Sequence, residues 1–78
     1  MKVEILSPEK QLFDGEATLV SLPGSDGSLG ILDNHAPLIT TLKEGVVKLK
    51  MGDGKEEKFE VKGGTVEVLN NRVIILAE

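Results

Sequence analysis

The sequence predicts an all-β domain, a small sandwich of two packed, mainly antiparallel sheets, and three observations lead there. No window of eleven or more residues carries apolar positions at helical spacing. Apolar and polar residues instead alternate in short runs, as in Thr65-Val-Glu-Val68, the period-two pattern of a half-buried strand. The runs are punctuated at regular intervals by Gly, Pro, Asn and Asp, the residues that turns demand. With 78 residues the chain reads as one domain, residues 1–78. A chain of this size buries only roughly 60–65% of its unfolded surface, so a partner surface is a natural source of further burial.

Taken in order, Val3 and Ile5 alternate with Lys2 and Glu4 in a strand that ends near Ser7-Pro8, and Pro8-Glu9-Lys10 reads as a tight turn. Leu12-Phe13 resumes the apolar pattern before Asp14-Gly15. Ala17 to Leu22 is the next run, and the adjacent apolar pair Leu19-Val20 breaks its alternation, which suggests a bulge or burial on both faces. Pro23-Gly24 closes that run. Glycines 24, 27 and 30 bracket small polar residues, so loop chemistry dominates Gly24 to Gly30. Leu29, Ile31 and Leu32 then form a short strand entering a corner at Asp33-Asn-His-Ala-Pro37, where Pro37 biases Ala36 towards extended backbone.

Pro37 to Leu42 is apolar enough for a short strand, and Lys43-Glu-Gly45 turns it into Val46 to Met51, in which Val47, Leu49 and Met51 share a face. Gly52-Asp-Gly54 is a hairpin signal. The returning strand sends Phe59 and Val61 inward and Glu56, Lys58, Glu60 and Lys62 to water. Gly63-Gly64 separates it from the strand of Val66 and Val68, Asn70-Asn71 supplies a two-residue turn tolerant of positive φ, and Val73 to Ala77 is the last strand. With Val73, Ile75 and Ala77 inward, Ile74 and Leu76 face outward as an apolar pair, to be covered by a neighbouring segment of the chain or by a partner.

Composition excludes several function classes. There is no cysteine to staple the fold or bind a metal. A net charge of −4 and only two aromatics, Phe13 and Phe59, argue against nucleic acid. No apolar run approaches the roughly 20 residues that span a bilayer, and Met1-Lys-Val-Glu lacks the shape of a signal peptide, so membrane association is expected only through another protein. His35 is the sole histidine, with Asp33 placed to orient its ring, but one histidine without a reaction partner makes a structural or interface residue rather than a catalytic one.

The glycines at 24, 27 and 30 lack a Gly-Lys-Ser/Thr ending and no helix follows them, so no nucleotide is expected. Asp26 and Asp33 lack the ligand spacing of a calcium loop, and neither metal nor cofactor is expected. Lys50-Met51 faintly resembles the attachment dipeptide of biotinyl and lipoyl carrier domains, yet Lys50 falls inside an alternating strand while the hairpin tip is Gly52-Asp-Gly54. An adaptor without chemistry of its own fits the small size, the acidic balance and the outward aliphatics better.

A more specific reading comes from three spaced segments. Gly27-x-Leu29-Gly30-Ile31-x-x-x-His35-Ala36-Pro37-Leu38 resembles the signature loop of the epsilon subunit of F-type ATP synthases. Gly63-Gly-Thr-Val-Glu-Val68 with Asn71-Arg-Val-Ile-Ile-Leu-Ala-Glu78 resembles the last two strands of that subunit's N-terminal domain, and Leu6-Ser-Pro-Glu-Lys-Gln-Leu-Phe13 with Gly15 its opening hairpin. The resemblance departs at Asp33-Asn34, where the family usually has Pro-Gly, and at Ser28, where an acidic residue or Gln is common.

What the resemblance implies is a β-sandwich at the foot of the central stalk, a non-catalytic rotor part that binds the gamma subunit and touches the c-ring, coupling proton translocation to ATP synthesis. Carried over by position, Ser28, Leu29 and Gly30 would face the c-ring, and Ser7, His35 and Thr40 the gamma side. The location implied is peripheral, on the cytoplasmic side of the bacterial inner membrane, held there by the complex. Many family members continue past the position of Ala77-Glu78 into two C-terminal helices, so the expectation is a short form lacking that helical hairpin.

Overall fold

The computed structural model describes residues 1–78 as nine strands: β1 (Lys2–Leu6), β2 (Gln11–Glu16), β3 (Leu19–Gly24), β4 (Gly27–Leu32), β5 (Leu38–Leu42), β6 (Gly45–Lys50), β7 (Glu56–Val61), β8 (Gly64–Leu69) and β9 (Arg72–Ala77). They form one continuous ladder in the order β2-β1-β9-β8-β5-β3-β6-β7, with β4 paired to β3. The ladder is curled. β5 meets β3 at a single pair, Gly24↔Leu42, whereas β3 pairs with β4 along its full length and with β6 through Leu19, Val20 and Ser21. One five-stranded layer, β2-β1-β9-β8-β5, thus folds over one four-stranded layer, β4-β3-β6-β7, across a one-pair seam.

Alternation explains which residues lie between the layers. Val3, Ile5, Val66, Val68, Val73 and Ile75 from the first layer and Val20, Leu22, Ile31, Val47, Leu49 and Val61 from the second join one core cluster of 16 buried residues. The far ends of the ladder are β2 and β7, and they are brought together by the chain's only two aromatics. Phe13 and Phe59 meet edge to face with ring centroids 5.9 Å apart, a geometry worth about 0.5–1.5 kcal/mol beyond the burial itself. Every ladder is antiparallel except β1·β9, where Lys2 to Leu6 run beside Arg72 to Leu76. A parallel pair needs a long crossover, and here the crossover is the rest of the domain.

Several sequence expectations are corrected. Asp14-Gly15 does not end a strand but lies within β2. Leu19-Val20 makes no bulge: β3 keeps strict alternation, with Val20 and Leu22 buried and Leu19 half-buried on the outer side. The ladder irregularity falls in β1·β2 instead, between Ile5 and Leu6. Pro23-Gly24 is the end of β3, and Gly24 to Gly30 is not a loop but a hairpin closed by Gly24↔Gly27 around the turn Ser25-Asp26. Glycine is used at 24 for closeness rather than for loop freedom, because a Cβ there would lie 2.5 Å from the Gly27 carbonyl oxygen and 3.1 Å from the Leu29 side chain. Pro23 is tolerated because the strand needs only its carbonyl, which accepts the Lys43 N–H at 2.9 Å. Asn70 and Asn71 do adopt positive φ, 50° and 60°, at the β8–β9 turn. Of the outward pair, Ile74 is half-buried and Leu76 remains 51% exposed, so the chain's own strands cover it only in part.

Ile75 and Leu76 are neighbours on β9 with opposite surroundings, which gives a direct test. Ile75→Ala should lower unfolding free energy by about 2–5 kcal/mol, the range for emptying a buried aliphatic site, whereas Leu76→Ala should change it by less than about 1 kcal/mol. Urea denaturation of the two variants against the parent chain checks both values.

Candidate functional site

The residue choices that exceed what β-structure requires gather at one end of the domain. Asp33-Asn-His-Ala-Pro37 leaves β4 and turns the chain across to β5, and no main-chain to main-chain hydrogen bond ties these five residues to the body. Side chains and the chain start do so instead. Asp33 Oδ1 accepts from the Met1 α-ammonium at 2.6 Å, and that ammonium also donates to the Ala17 carbonyl at 3.0 Å. The Asn34 N–H donates to Asn71 Oδ1 at 2.8 Å. Asn34 holds φ of 61°, a left-handed conformation that Asn tolerates better than most residues.

His35 follows directly. Its Nδ1–H donates to the Ala36 carbonyl at 2.7 Å, since a carbonyl oxygen can only accept, and Nε2 is left for another group. Asp33 does not orient the imidazole, as its proximity in sequence suggested. Its carboxylate is engaged by the Met1 ammonium.

The other sequence-predicted positions are distributed around the domain. Ser7 closes the β1–β2 turn: its N–H donates to the Lys10 carbonyl at 2.9 Å, and its Oγ accepts the Lys10 N–H at 3.2 Å. That turn lies at the opposite end of β1 from the His35 corner, a strand length of about 20 Å away. Thr40 sits in β5 opposite Val66, on the inward-facing row and half-buried. Ser28 and Gly30 face outward from the four-stranded layer, while Leu29 between them turns inward and packs against the core. Ser28 and Gly30 share a shallow outer groove with Ser21, Pro23, Val46 and Lys48. The structure therefore forms no single cluster of the six residues. It gives two surfaces: the outer side of β3–β4 at Ser28 and Gly30, and the side of the five-stranded layer reaching from Ser7 to His35.

Sequence reasoning missed Asn71, which it assigned only to a turn, and Ile39, 76% exposed on the outer face of β5. The available signal for Ile39 was the alternation of Leu38, Thr40 and Leu42 on the inner side, which leaves Ile39 and Thr41 outward. Together with Leu69 and Leu76, also exposed, Ile39 gives the outer face of the five-stranded layer an apolar character suited to a protein contact. No polar or charged residue is buried anywhere in the domain. The exposed surfaces can act by packing and hydrogen-bond complementarity.

Comparison with known proteins returns a consistent result. A family model described as "ATP synthase, Delta/Epsilon chain, beta-sandwich domain" matches residues 1–78. The chain is 49% identical over 77 residues to the ATP synthase epsilon chain of Dichelobacter nodosus, covering 99% of this chain and 54% of that protein. It is 47% identical to that of Delftia acidovorans, covering 97% and 55%, and 44% identical to that of Chlorobium limicola, covering 99% and 88%. It thus spans about half the length of the first two relatives. Among solved structures, a chain of the Euglena gracilis mitochondrial ATP synthase (OSCP/F1/c-ring) superposes with a TM-score of 0.90 at 18% identity, covering 96% of this chain and 48% of that one. One from the central stalk and c-ring of the Tetrahymena thermophila mitochondrial ATP synthase gives 0.81 at 24%, covering 99% and 62%. At these identities the structural matches show a shared fold.

Proposed function

Since this chain belongs to the family of the ATP synthase delta/epsilon chain β-sandwich domain, we propose that it is a non-catalytic rotor component of an F-type ATP synthase, joining the gamma subunit to the c-ring and coupling proton translocation to ATP synthesis. The observation that carries this reading is the match of the family along the whole chain, together with relatives named ATP synthase epsilon chain at 44–49% identity over 97–99% of it. The assemblies that hold its structural neighbours include the c-ring and agree with such a place. In that role the chain lies peripherally at the cytoplasmic side of a bacterial inner membrane, attached through its partners.

The geometry supports a division of the contacts between two faces. Ser28 and Gly30 present the outer side of β4 to the c-ring, and Leu29 supports them from beneath by packing on the core. The gamma subunit lies along the five-stranded layer, from the Ser7 turn past Thr40 to the His35 corner. The domain measures 28 × 24 × 18 Å, and a standard interface of roughly 800 Å² per partner is broad enough to run the length of that layer. The carrier-domain alternative is disfavoured by Lys50, which pairs with Glu56 inside the β6–β7 ladder rather than standing at the hairpin tip.

Two outcomes test the assignment. His35→Asp should weaken binding to a cognate gamma subunit about tenfold, equivalent to about 1.4 kcal/mol, as measured by calorimetry. Elution of the parent chain and gamma as separate species at tens of micromolar would overturn the gamma contact. Added to membrane vesicles whose complex has been depleted of its epsilon subunit, the chain should restore ATP-driven proton pumping. A Ser28→Cys variant labelled with a bulky maleimide should restore it poorly if the c-ring covers that face.

A further inference from the structure

We propose that Asn71 is the positioning residue for the gamma contact at His35: its side-chain oxygen latches the Asp33–Pro37 corner and so fixes the direction in which His35 is offered to the partner. The proposal rests on the reading that places His35 against gamma.

Residues 33–37 make no main-chain to main-chain hydrogen bond, so their conformation depends on side-chain tethers. The His35 bond to the Ala36 carbonyl is internal to the corner and cannot anchor it to the body. The Met1 ammonium grips Asp33 through its carboxylate, two single bonds from the main chain. The only bond that joins the body of the domain to the corner's main chain is the one from the Asn34 N–H to Asn71 Oδ1, at 2.8 Å and immediately before His35.

Asn71 is well suited to the task. Its φ of 60° is set by the β8–β9 turn, and its main-chain carbonyl accepts the Lys2 N–H at 3.1 Å, so the residue is fixed to the start of β1. A short, branched amide on such a backbone has few rotamers and carries an oxygen directly to Asn34. One residue thereby joins three segments: the β8–β9 turn, the first residue of β1 and the corner bearing His35. Two residues with left-handed backbone, Asn34 and Asn71, face each other across that bond. Without it the Asp33–Asn34 peptide is free to rotate and the backbone that leads into His35 loses its anchor, so gamma must order it on binding, a loss of preorganisation that lowers affinity without removing any direct contact.

The test uses substitutions that leave the turn intact. Asn71→Gly preserves positive φ and the main-chain carbonyl but removes Oδ1, whereas Asn71→Asp keeps an oxygen in the same place on a residue that also tolerates left-handed backbone. In the free chain, amide hydrogen exchange at Asn34 should accelerate at least about tenfold in Asn71→Gly. Exchange at Lys2, bonded to the main chain of the same residue, should keep its rate, which separates loss of the latch from general destabilisation. Affinity for gamma should fall about tenfold in Asn71→Gly and return to within about threefold of the parent in Asn71→Asp. In a His35→Ala background the Asn71→Gly change should have no further effect, because the two act through one contact. Equal Asn34 exchange in the parent chain and Asn71→Gly overturns the latch, whatever gamma does. An equal loss of affinity from Asn71→Gly with and without His35 overturns its action through His35. Failure of the parent chain to bind gamma overturns the functional reading itself and the positioning role with it.

Discussion

A single ladder pair, Gly24↔Leu42, holds the architecture together. Without it β5 and β3 would belong to separate sheets, and with a longer run of pairing between them the ladder would stay open and flat. Limiting the junction to one pair lets the sheet turn sharply while keeping its hydrogen bonds, supported by Ser25 N–H to the Thr41 carbonyl at 3.0 Å and Lys43 N–H to the Pro23 carbonyl at 2.9 Å. The bend places two apolar faces against each other. It also carries the ends of the ladder, β2 and β7, to where Phe13 and Phe59 meet. Seam and aromatic contact close opposite sides of one core, and neither has value without the other, because an open nine-stranded sheet this small would leave its apolar face in water.

The second organising element is the parallel pairing of the first and last strands. It brings the start of β1 beside the β8–β9 turn, so Met1, Lys2 and Asn71 are neighbours although 70 positions separate the first from the last. Into that junction the corner after β4 inserts Asp33 and Asn34. The distinctive part of the sequence is thus held by groups far from it along the chain. Such non-local closure delays folding relative to local contacts, since loop entropy is lost before the bonds form.

The proposed rotor role is mechanical. A rotor adaptor needs a stiff body and surfaces that match its neighbours, and it has no use for a desolvated acid or base. The absence of buried polar residues, the continuous aliphatic core and the outward aliphatics Ile39, Leu69 and Leu76 belong together in that light. The exposed apolar positions lie on the outer face of the same layer whose ends carry Ser7 and His35, so burial missing from a 78-residue domain is available from a partner.

The amino-acid sequence by itself determined the all-β class, the inward residues of nearly every strand and the positive-φ turn at Asn70-Asn71, because alternation and turn chemistry are local properties of a strand. The motif residues and their order also made the family legible. Local signals misled where glycine and proline serve contact rather than turning. Asp14-Gly15 read as the end of a strand although Gly15 lies within β2 beneath the Phe13 ring, and Gly24 to Gly30 read as a loop although Gly24 and Gly27 pair across a tight hairpin. Leu29 read as strand, but its inward direction depends on the pairing of β4 with β3. Only the tertiary structure decided that Asp33 answers the Met1 ammonium rather than His35, that Asn71 bonds Asn34, and that Ser7 and His35 stand at opposite ends of a layer. Those relations join residues 32, 37 and 28 positions apart, and no local pattern encodes which distant segment a curled sheet will bring alongside another.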